Sequence, residues 1–72
     1  MRAKIRLDTL KEVNAFVLIC SKVDEEVYIT DGHGLRVSAK SVLGAIYSME
    51  FEELWCESNM DLYTELKAFI VE

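Results

Sequence analysis

The sequence predicts an α+β domain: an antiparallel or mixed sheet with helices on a single face. Three observations carry this reading. Short stretches of apolar and polar alternation are separated by stretches of helical spacing, and the two kinds follow one another as β-α-β-β-α-β-α. Asp31-Gly32-His33-Gly34 supplies hairpin turn chemistry between the two middle strands, and a tight hairpin pairs its strands antiparallel. Helices intervene too rarely for a doubly wound parallel sheet. The 72 residues contain no proline, repeat or linker-like run, so 1–72 reads as a single domain, near the lower size at which an apolar core supports folding unaided.

Each element has a local cause. From Ala3 to Leu7 the chain alternates, with Ile5 and Leu7 on one side and Lys4 and Arg6 on the other, as a half-buried strand requires. Thr9-Leu10-Lys11-Glu12 has the spacing of a capping box. Leu10, Val13, Val17 and Cys20 follow at helical intervals, with Phe16 and Ile19 widening the stripe, so a helix is expected over 9–22. The next strand, 25–30, turns Val27 and Ile29 inward and Glu26, Tyr28 and Thr30 outward, and 35–38 is its return. A second helix over 40–48 buries some of Val42, Ala45, Ile46 and Met49, although Gly44 costs it about 1 kcal/mol relative to alanine. In a fourth strand, 51–57, Leu54 and Cys56 face one way while Phe51, Glu53, Trp55 and Glu57 face the other. Ser58 as N-cap, with Asp61 three residues on, opens a third helix whose stripe is Leu62, Leu66, Phe69 and Ile70.

Composition narrows the function. The chain is 51% hydrophobic with a formal net charge of −5, which repels phosphate backbones, so no nucleic-acid partner is expected. Arg2, Lys4, Arg6 and Lys11 crowd the N-terminal region, where strand alternation places several of them on one solvated face. Cys20 and Cys56 have neither zinc-ligand nor redox spacing and read as small buried hydrophobes; no metal and no cofactor are expected. Without a signal-peptide core or a membrane-length apolar run, the expected location is cytoplasmic, with no membrane contact. Glu25-Glu26 and Glu52-Glu53 are adjacent pairs that a strand sends to opposite faces. With no P-loop, dinucleotide fingerprint or nucleophile elbow, the reading is a non-enzyme with no catalytic residue and no small-molecule substrate.

The run Ser38-Ala39-Lys40-Ser41-Val42-Leu43-Gly44-Ala45-Ile46 follows the hairpin and opens a helix with a hydroxyl at its entrance. Together with the element order, it resembles the regulatory-serine region of HPr, the small phosphocarrier of the bacterial sugar phosphotransferase system. That resemblance implies an open-faced β-sandwich, a four-stranded antiparallel sheet in the order one, four, two, three with three helices on one face. Family members hold phosphate on a histidine in a Gly-Leu-His-x-Arg-Pro segment. Here the corresponding run is Leu7-Asp8-Thr9-Leu10-Lys11-Glu12-Val13, so Thr9 stands at the degenerate phosphohistidine position, Lys11 in place of the arginine and Glu12 in place of the proline. A threonine phosphoester is too inert for reversible transfer, which argues against phosphocarrier activity through this segment. His33, the one histidine, sits among turn glycines and reads as a turn residue.

The resemblance further implies that Ser41 is a regulatory phosphorylation site, modified by an ATP-dependent kinase so that the product binds a transcriptional regulator. Lys11 and Lys40 are then phosphate-contact candidates, and Val42, Leu43 and Ile46 an adjacent apolar contact patch. Read from the residues alone, Ser41 is a helix-start serine satisfying a backbone donor. Outward strand positions hold Tyr28, Phe51 and Trp55 beside Arg6 and Arg36. Were strand four next to strand two, Tyr28 and Trp55 would be cross-strand neighbours, either exposing an apolar patch or packing under the arginine stems. An exposed patch suits a homodimer first and a different protein partner second. The expected function is a non-catalytic HPr-like regulatory or protein-interaction module; the alternatives are a phosphocarrier with a non-standard acceptor and a structural homodimerising subunit.

Overall fold

The structure, a computed structural model, describes residues 1–71. Its elements are β1 (Arg2–Ile5), α1 (Leu10–Ser21), β2 (Val27–Thr30), β3 (Arg36–Ser38), α2 (Val42–Ser48) and β4 (Leu54–Ser58). The strands form one four-stranded sheet with neighbours in the order β1-β4-β2-β3, every pair antiparallel. This is the order the resemblance implies, and alternation along the chain carries no information about it. The architecture is α+β with an open-faced antiparallel sheet, but the described residues form two helices where three are expected.

The missing helix is the C-terminal one. Ser58 does not cap a helix; it is the last residue of β4, paired with Val27, and its side chain accepts from the Met60 N–H at 3.0 Å. Residues 63–69 make consecutive turns instead, with one helical bond from Leu66 N–H to Leu62 C=O and a tighter one from Phe69 N–H to Leu66 C=O, both at 2.9 Å. Pairing with the sheet edge outcompetes helix propagation: Ile70 bridges Ile5, and Val71 N–H donates to Lys4 C=O at 3.0 Å. The stripe still does its work, since Leu62, Leu66 and Phe69 are buried.

α1 forms where its capping box sits. Thr9 is the extended N-cap and the stripe Val13, Phe16, Val17 and Cys20 is buried, while Leu10, expected in that stripe, is 58% exposed because it lies one residue past the cap, on the solvent side. The inward strand residues Ile5, Val27, Ile29, Leu54 and Cys56 join this stripe in one apolar cluster, and Phe16 packs edge-on to Phe69 with ring centroids 5.4 Å apart. Burying each large apolar side chain stabilises the fold by about 1.5–3 kcal/mol. Thr30, expected outward, is buried under the hairpin turn, where its hydroxyl donates to Leu35 C=O at 2.7 Å and accepts from Gly32 N–H at 3.0 Å.

β4 begins at Leu54 rather than Phe51. Phe51 N–H closes the end of α2 on Ser48 C=O at 3.0 Å, and its ring packs edge-on against Tyr47 at 5.6 Å, so Phe51 is not on the outward sheet face. Arg6 likewise lies beyond β1, which ends at Ile5.

Candidate functional site

Ser41 is the N-cap of α2, with extended backbone (φ −102, ψ 119) and a side chain that accepts from Gly44 N–H at 3.0 Å. The helix therefore starts at Val42, two residues later than expected, because the Ser38–Ser41 turn takes the preceding donors: Ser41 N–H bonds Ser38 C=O at 3.2 Å and Lys40 N–H bonds Ser38 Oγ at 3.2 Å. Gly44 earns its place by contact. A Cβ there would stand 3.3 Å from Val37 Cβ and 3.4 Å from the Ser38 carbonyl oxygen, so glycine lets α2 settle onto β3.

That close approach decides which side of α2 is buried. Ala45 and Ser48 point into the protein, the Ser48 hydroxyl satisfied by Ala45 C=O at 2.6 Å. Of Val42, Ala45, Ile46 and Met49, some of which are expected to be buried, Met49 packs against the core, while Val42 and Ile46 face solvent together with Leu43 and Tyr47, at 45%, 39%, 80% and 54% exposure. Their spacing places all four on one helical face. This is an unusual concentration of exposed apolar area for a seven-residue helix. Tyr47 lies four residues from Leu43 and one from Ile46, so the spacing that marks those two residues in the sequence reaches it as well.

The two lysines go elsewhere. Lys40 Nζ donates to Val23 C=O at 2.6 Å, fastening the β3–α2 connection to the end of α1, and Lys11 lies exposed in the first turn of α1. No hydrogen bond or ion pair among the described residues joins Thr9 or Lys11 to Ser41.

At the start of α1 the capping box is complete. Glu12 N–H donates to Thr9 Oγ1 at 3.1 Å, and Glu12 Oε1 in return accepts from Thr9 N–H at 3.1 Å and Asp8 N–H at 2.9 Å. The Glu12 carboxylate thus stands at the helix entrance, where its negative charge opposes a second anion. Asp8 adds a second carboxylate, paired with Arg6 at 3.5 Å. No family model, curated protein or solved structure matches the chain. The remaining functional reading therefore rests on the geometry of its own residues.

The open sheet face resolves the aromatic question. Trp55 lies opposite Lys4 and Thr30, and Tyr28 opposite Glu57 and Ser38, so the two rings are diagonal rather than facing neighbours. Each is covered by a guanidinium: Arg2 over Trp55 at 4.2 Å and Arg36 over Tyr28 at 4.1 Å. Arg2 also pairs with Glu57 at 3.1 Å, and Trp55 Nε1 donates to Glu53 Oε1 at 2.7 Å. Both rings are half-buried, and the face is a lattice of polar stacks.

The remaining candidates are quiet. His33 is exposed in the turn, its N–H donating to Asp31 Oδ1 at 2.7 Å. Cys20 and Cys56 are buried free thiols, and burial pushes them up from 9.0 to about 12 and about 11. Among the described residues no cluster of His, Cys, Asp and Glu could hold a metal ion, and no helix is long and apolar enough to cross a membrane.

Proposed function

We propose that the chain is a non-catalytic HPr-like regulatory or protein-interaction module, which meets its partner through α2 and is regulated by phosphorylation of Ser41. The observation that carries the reading is the exposed stripe Val42, Leu43, Ile46 and Tyr47 starting one residue after the Ser41 cap. A phosphoryl group there would add about two negative charges beside an apolar contact patch, which changes what can dock. The capping box at Thr9 supports the same reading, because the carboxylates of Glu12 and Asp8 at the α1 entrance repel a phosphoryl anion there. The stacked rings of the open sheet favour α2 over that sheet as the contact surface, for a different protein before a second copy of this chain.

Intact-mass measurement tests the two phosphorylation routes separately. ATP with an HPr-type serine kinase is expected to add one phosphate to the wild type and none to Ser41→Ala. Phosphoenolpyruvate with the general upstream enzyme is expected to add none. An acid-labile phosphate from the second donor would overturn the reading in favour of a phosphocarrier with a non-standard acceptor.

A further inference from the structure

The apolar face of α2 runs into a cleft at its C-terminal end. A cavity of about 410 Å³ lies between the β2–β3 turn and the last turn of α2, with Tyr47 and Phe51 as aromatic wall and Asp31, Glu50 and Glu52 around them. Tyr47 belongs to both surfaces: it is on the exposed stripe, and its ring meets Phe51 edge-on at 5.6 Å in the cleft. Neither ion pair among the described residues involves the three carboxylates. Asp31 accepts from the His33 and Leu35 N–H groups at 2.7 and 3.1 Å, which holds its carboxyl below the usual range and keeps it charged. Among the described residues that line the cleft, His33 is the one basic side chain beside the three carboxylates.

Aromatic rings with nearby carboxylates are the environment that favours an alkylammonium or guanidinium group. We propose that the α2 surface accepts a protein segment with apolar residues followed by a lysine or arginine, the apolar residues covering Leu43 and Ile46 and the basic side chain entering the cleft between Tyr47 and Asp31. This rests on the reading of α2 as a docking surface and adds the chemistry of its occupant. The sign of the charge selects the partner, since an acidic segment would meet three carboxylates.

Selection of a displayed library of short random peptides on the immobilised protein tests it without presuming a sequence. The expected winners carry a lysine or arginine next to apolar residues, and their affinity falls about tenfold on Glu50→Gln/Glu52→Gln. It is lost on Leu43→Asp. Glu50, Glu52 and Leu43 are all exposed, and urea unfolding followed by Trp55 fluorescence checks that both variants fold. Winners that need Leu43 but carry no basic residue, or that bind Glu50→Gln/Glu52→Gln unchanged, would overturn the basic anchor and leave the docking surface standing. Winners indifferent to Leu43→Asp, or no enrichment at all, would overturn both.

Discussion

Thr9 and Glu12 form a reciprocal pair whose energy can be isolated. Thr9→Ala removes the oxygen that accepts from Glu12 N–H at 3.1 Å, and loss of a threonine N-cap costs about 1 kcal/mol. Glu12→Ala removes the acceptor of the Asp8 and Thr9 N–H groups, both exposed enough for water to take over, and costs about 0.5–1 kcal/mol. Because the two halves share one turn, the double variant should lose less than the sum, with a coupling of about 0.5 kcal/mol. In a domain of 72 residues each kcal/mol moves the thermal midpoint by roughly 4–8 °C. Urea and thermal unfolding, read by Trp55 fluorescence and far-UV circular dichroism, measure all four species. Strict additivity, or a Thr9→Ala loss below about 0.3 kcal/mol, would refute the claim that this box fixes the start of α1.

Other outcomes follow from the packing. Gly32→Ala should destabilise by about 1 kcal/mol or more, because φ is +81 and a Cβ would stand 3.3 Å from Arg2 Nη2; calorimetry reads the drop. Phe69→Ala should cost about 3–5 kcal/mol by removing the edge-on partner of Phe16, enough to leave a small domain largely unfolded by circular dichroism. Folded protein at pH 8 should react with a thiol reagent only as fast as it unfolds, and urea should release both thiols at once. With their folded values raised to about 12 and about 11, Cys20 and Cys56 favour the fold fully below the unfolded thiol value near 9.0. That contribution is lost as pH climbs toward the folded values, so the urea midpoint should fall in that window and fall less in Cys56→Ala.

The parts of this fold legible in the sequence are those decided within one turn of chain. The box at Thr9 and Glu12 and the stripe from Val13 to Cys20 identify α1, and Gly32 with Gly34, both at positive φ, identify the hairpin. Where a residue's fate depends on a distant neighbour, periodicity misleads. Leu62, Leu66 and Phe69 have helical spacing, yet the free edge of β1 draws Ile70 and Val71 into pairing and leaves only turns before them. On α2 the Gly44 contact with Val37 rotates Ala45 and Ser48 inward and Val42 and Ile46 outward, a choice that hydrophobicity alone reverses. The site was half legible: Ser41, Leu43 and Ile46 stand out along the chain, whereas the cleft at Tyr47 exists only because the β2–β3 turn folds back beside it.

The position of β4 bears on how the protein is made. As the partner of both β1 and β2, it is the one named strand beside β1 among the described residues. β1 therefore stays without a strand partner until β4 (54–58) has been made, whereas the β2–β3 hairpin can pair before it. Closure of the sheet thus waits for β4, the strand that joins β1 to the β2–β3 hairpin.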